Sequence, residues 1–243
     1  MKNIVSVSPN KFLQINAIVI VSFILLSAAG SIWNLVSIDD YFLAEMRESF
    51  VRLFSPNEEA NIITWYSTSI LLLSSFLLGI IAFSKKSNYD SYTFHWGFLS
   101  FVFLYLSVDE AAVIHEMADS PLRSLFNLGA FSYCGWILPA GIAVIIFGLA
   151  YSKFLFHLPF KTRCMFLVAG GIFVGGTIGL DSVGGYLHYL YIQGRIANDE
   201  MVLIFETIEE FMEMSGIVIF IYALLDYMSL HLTDLRIRIL NSK

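Results

Sequence analysis

The sequence predicts an all-α membrane protein: one polytopic bundle of about six transmembrane helices, both termini cytoplasmic, with an amphipathic helix on its outer surface. Three observations carry this. Hydrophobic residues make up 57% of the 243 positions and the mean hydropathy is +0.72. Charged residues are only 14%, against about a quarter in soluble domains. The charges are also unevenly placed, since long apolar runs alternate with short polar ones, which is the pattern of a multi-span helical protein. The length suits one domain, and neither a linker nor a fixed-period repeat divides it.

The spans are expected at 12–36, 61–83, 93–117, 130–152, 164–190 and 201–229, each with the ~20 apolar residues a crossing needs. The first resembles a signal peptide, with Lys2 and Lys11 before an apolar run and Ser27-Ala28-Ala29-Gly30 as a cleavage-like site. The apolar run continues past those small residues, so it reads as a span. Trp33, Trp65 and Trp136 fall near expected span ends, as interfacial aromatic belts do. Cys134 and Cys164 fall near opposite ends of adjacent spans. Opposite faces are ~30 Å apart and a disulfide needs Cα atoms within ~7 Å, so an internal bridge is not expected.

Orientation follows from lysine and arginine. Lys2, Lys11, Lys85, Lys86, Lys153, Lys161, Arg163, Arg236, Arg238 and Lys243 fall on one side. Arg47, Arg52, Arg123 and Arg195 fall on the other. The richer side is the cytoplasm, which implies a multi-pass protein of the plasma (inner) membrane. The net charge of −6, without a basic patch, argues against nucleic acid.

Between the first two spans, residues 40–54 put Phe42, Leu43, Met46, Phe50, Leu53 and Phe54 on one helical face before Pro56 stops the helix. This predicts an amphipathic helix on the outer membrane surface, either packing between spans or covering a site.

The ionisable residues inside the spans are few and concentrated. The third span holds Asp109, Glu110, His115 and Glu116, the fifth Asp181 and His188, and the sixth Glu206, Glu209, Glu210 and Glu213. On insertion scales each costs about 2.5–3.5 kcal/mol at a helix centre. At ~100° per residue, Asp109 and Glu116 share a face, as do Asp181 and His188, and the four glutamates span about 100° of an otherwise apolar helix. With the orientation above, all lie in the outer half of the membrane. Gly184 and Gly185 leave room beside them, while Gly171, Gly175 and Gly179 form a small-residue stripe for helix contact.

No lysine or arginine within these spans compensates the acids. Bound metal, shared protons or a water-filled cavity could do so. Carboxylates with imidazole are the ligand set of iron, manganese or zinc, with two ions in some helical bundles, although the usual Glu-x-x-His pair is absent here. The expected function is a metal-dependent membrane enzyme oxidising or hydrolysing a lipid-like substrate. Asp109, Glu116, Asp181, His188, Glu206, Glu210 and Glu213 are the expected ligands, and Glu209, Glu110 and His115 the proton-transfer or supporting groups. The alternatives are a proton or cation transporter using the acids as a relay, and a non-catalytic subunit or sensor with a structural metal. The lipid bilayer is the expected partner, and assembly into a homo-oligomer is left open. No Ser-His-Asp order, phosphate loop or dinucleotide motif occurs.

Overall fold

The computed structural model describes residues 8–56, 58–115, 117, 121–122, 135–195 and 200–232. Among them the structure is helical throughout. The elements are α1 (Pro9–Asn34), α2 (Tyr41–Phe54), α3 (Ile62–Ser87), α4 (Thr93–Ala112), α5 (Ile137–His157), α6 (Phe160–Val174), a π-helical turn (Gly175–Leu180), α7 (Asp181–Ile192) and α8 (Glu200–His231). Four of the helical stretches are long and apolar enough to cross a membrane: α1, α3, α5 and the continuous run Phe160–Ile192. Helices occupy the regions expected for the third and sixth spans as well.

Local chemistry sets several boundaries. The Asp40 carboxylate accepts the Leu43 N–H at 2.9 Å and starts α2, as N-capping predicts. Asn61 caps α3 by accepting the Thr64 N–H at 3.0 Å, while its amide nitrogen donates to the Ser55 and Glu58 carbonyls, each at 2.6 Å. The third span departs from the expected 93–117. Its helix ends at Ala112, because Val113 adopts a left-handed conformation with φ 53°, one that a β-branched residue rarely takes.

The bundle is organised around α8, which packs against α1, α3, α6, the π turn and α7, while α3 and α4 form a second tight pair. Small residues allow these approaches. A methyl group at Gly216 of α8 would sit 2.9 Å from the Ala169 carbonyl of α6. Between α3 and α4, Ser75 Oγ donates to the Ser100 carbonyl at 2.7 Å and Ser100 Oγ donates back to the Ser75 carbonyl at 2.8 Å. Such hydroxyl contacts join helices where hydrophobic burial against lipid cannot. Of the expected glycine stripe, only Gly175 packs, with a methyl there 3.4 Å from Met212 Cε of α8. A methyl at Gly171 or Gly179 would meet nothing within 4 Å, whereas one at Gly176 would lie 3.1 Å from the Glu209 carbonyl.

The densest core lies at one end. There the start of α4 meets the ends of α5 and α8 and the start of α6, through ring contacts of Trp96 with Phe154 (5.0 Å), Tyr227 (5.1 Å) and Phe166 (6.1 Å). At the opposite end α2 lies against α1 without fully burying any residue. It is held by Phe50 against the Trp33 ring at 5.7 Å and by Arg47 Nη1 donating to the Val36 carbonyl at 3.0 Å.

Candidate functional site

The acids gather at the end of the bundle away from the aromatic core. Glu206, Glu209, Glu210 and Glu213 belong to the first half of α8. The π turn lies directly against them. Besides its approach to the Glu209 carbonyl, a methyl at Gly176 would stand 3.3 Å from Glu213 Cγ. A π turn carries an extra residue, and such turns concentrate at functional sites. Here it ends at Asp181, whose carboxyl acts electrostatically on Glu209 and Glu213. Thr177, within the turn, lies near the Glu213 carboxyl and donates its hydroxyl to the Phe173 carbonyl at 2.9 Å.

The end of α4 closes the opposite wall. Glu110 accepts a short hydrogen bond from Ser67 Oγ of α3. It also acts electrostatically on Glu210 and Glu213. Beyond the helix end, the turn at Val113 folds the chain back so that Asp109 grips His115. One carboxylate oxygen accepts the His115 backbone N–H at 2.9 Å, and the other meets the ring Nδ1 at 3.0 Å. The His115 ring lies 5.1 Å from that of Trp136 and acts on both Glu110 and Glu213. Glu59, in the loop before α3, acts on Glu210.

Of the residues expected from sequence, the structure thus brings together Glu110, Asp181, Glu209, Glu210 and Glu213. His115 sits at their edge, oriented by Asp109. Glu206 borders the group through Glu209. Three expectations fare differently. Asp109 and Glu116 were expected to share a helical face, but α4 ends between them, Asp109 engages His115, and Glu116 lies outside the described residues. His188, near the end of α7, is exposed. Among the described residues, no three or more His, Cys, Asp or Glu side chains are arranged to hold a metal ion. Gly184 matches its expected role: a methyl there would meet nothing within 4 Å.

Two participants escaped the sequence reading. Ser67 and Thr177 are ordinary hydroxyl residues in apolar runs. For Ser67, the seven- and eight-residue spacing to Ser74 and Ser75 marks a polar face on α3. Thr177 has no comparable signal, since its position depends on the π turn.

The family model for a domain of unknown function, DUF8692, matches residues 17–228. The chain belongs to this family. No curated protein and no solved structure matches it. The matched segment includes every acid and histidine of the cluster, together with the π turn and Ser67.

Proposed function

We propose that this chain is a six-span membrane enzyme, both termini cytoplasmic, whose carboxylates share protons and perform general acid–base chemistry on a lipid-like substrate at the outer side of the membrane. The observation that carries this reading is the gathering of carboxyls around the first half of α8: Glu213 lies near Glu110, His115 and Asp181, Glu209 near Asp181, and Glu210 near Glu110. Like charges this close cannot all ionise in a low dielectric, so protons or a cation must neutralise most of them. Protons are favoured over a metal because, among the described residues, no three or more His, Cys, Asp or Glu side chains are arranged to hold a metal ion. Glu110, receiving the Ser67 hydroxyl, is the natural base of the group, and Glu213 the natural acid.

A one-sided site supports an enzyme over a transmembrane relay. Below Glu213, α8 continues through Met214, Ile217, Val218, Ile221 and Leu224, all at most 2% exposed. A proton moving along that face meets no titratable side chain. The orientation rests on the lysine and arginine asymmetry.

A second reading keeps the metal. An imidazole whose Nδ1 is held by a carboxylate has the orientation typical of a metal ligand, and the Asp109–His115 pair has that form. Iron, manganese or zinc would then neutralise the acids.

Infrared difference spectroscopy of the full chain in mild detergent, with elemental analysis of the same sample, separates the two. Metal-free, folded protein should show the carbonyl stretch of protonated carboxylic acids, shifted in deuterated water and reduced in Glu213→Gln. Stoichiometric metal, with no such band until a chelator is added, would overturn the shared-proton reading and establish the metal one.

A further inference from the structure

A cavity of ≈ 110 Å³ lies between α1, α2 and the first turn of α8. Its lining has two characters. Ser27, Ser31 and Asn34 follow one face of α1 at helical spacing, while Val51, Phe54 and Leu203 close it from α2 and α8. Asn34 is the last residue of α1, and Leu203 lies one turn into α8. The cavity therefore sits at the depth of helix ends, where a bilayer changes from hydrocarbon to polar headgroup. The surface near it is apolar and exposed, at Leu25 and Ile32 on α1, Leu53 on α2 and Ile204 on α8.

Two of the cavity's walls lead along the chain toward the acids. Its wall includes Ser55 and Pro56, and the same loop continues to Glu59, which acts on Glu210. Leu203 precedes Glu206 by three residues and Glu210 by seven, about one and two turns of α8. An amphiphile at this depth would set its glycerol and ester oxygens against the serine and asparagine side chains of α1. The start of its acyl chain would lie against Val51, Phe54 and Leu203. The amphipathic α2, with Phe42, Leu43 and Met46 exposed, would follow the membrane surface over it.

We propose that this cavity is the binding subsite for one membrane phospholipid, taken laterally from the outer leaflet, and that α2 forms its roof. Its role as a substrate subsite rests on the enzyme reading above, whereas lipid occupancy does not.

The test uses the full chain in phosphatidylcholine vesicles containing a phosphatidylcholine with a photoactivatable group near the start of one acyl chain. Cross-linked peptides are mapped by mass spectrometry. Labelling of peptides covering 26–34 and 51–56 should exceed that of the lipid-facing stretch 142–149 of α5. Ser31→Leu, at the exposed rim, and Ser27→Leu, deeper, should each lower cavity labelling severalfold. The rim variant should leave the melting temperature unchanged. Labelling no stronger than on α5, or unaffected by Ser31→Leu, would overturn the subsite. Strong cavity labelling with no protonated-carboxyl band would retain the subsite while the shared-proton reading fails.

Discussion

The two ends of the bundle are built on opposite principles, and α8 passes through both. In its second half it buries Ile221 and Leu224 completely and sets Tyr227 against Trp96. Phe220 stacks on Phe103 at 4.7 Å there. In its first half the same helix presents Glu209, Glu210 and Glu213 to Asp181, Glu110 and His115. Packing within lipid stabilises through van der Waals contact and helix–helix hydrogen bonds, and the aromatic end has both. The acidic end gives up such contact to hold groups that repel one another. Close packing and clustered charge are therefore separated along the bundle axis; a site maintained at the expense of stability would show this arrangement.

The largest effect tests the aromatic end. Trp96 is 1% exposed and touches three other rings. Trp96→Ala should cost about 3–5 kcal/mol, the range for large-to-small core changes, measured by unfolding in detergent. Spectroscopic signatures of the acids should survive in whatever fraction folds.

Gly216 lies just past the boundary, three residues beyond Glu213. Gly216→Val forces a side chain against backbone atoms of α6 at 2.9 Å and should cost about 1–3 kcal/mol as overpacking. Because it pushes α8 away from α6, it should also weaken the contact of Gly176 with Glu209. A change confined to stability would show that the two ends are less connected than the shared helix implies.

The third substitution carries the opposite sign. Glu210→Gln removes one of the mutually repelling carboxyls with little change in volume. Thermal unfolding should show a gain on the order of 1 kcal/mol, together with loss of the site's proton exchange. A loss approaching that of Trp96→Ala would end the division between the two regions.

The smallest effect lies between the ends. Ser75→Ala removes one of two reciprocal hydroxyl contacts between α3 and α4. It should cost about 0.6 kcal/mol, the average for such bonds in a membrane bundle. A much larger value would mean that the α3–α4 pair, rather than the aromatic cluster, anchors the fold.

How far the site was legible in the sequence can be followed residue by residue. Glu209, Glu210 and Glu213 face inward because they form one stripe on a greasy helix, which periodicity alone reveals. Asp181 joins them as expected, although the π turn that aims it was not foreseen. Gly175 and Gly176 are consistent with such a turn but equally with plain packing. Glu110 proved central where sequence suggested a supporting place. Its neighbour Asp109 turned instead to His115, because Val113 breaks the helix, and a single unfavourable φ is invisible to helical spacing. His188, expected to face inward, is exposed for a different reason. Spacing gives a face but not the point at which neighbouring helices stop covering it.

By itself the sequence determined the helical class, the apolar runs, the α2 amphipathic helix with its Asp40 cap, and the concentration of uncompensated acids in three segments. These follow from composition and from the 3.6-residue period, which are local properties of the chain. Only the tertiary structure decided which acids meet, that Ser67 and Thr177 accompany them, that Asp109 serves His115, and that a cavity opens beside the loop before α3. Each of these depends on crossings between helices distant in sequence, where one glycine or one left-handed residue shifts what lies opposite.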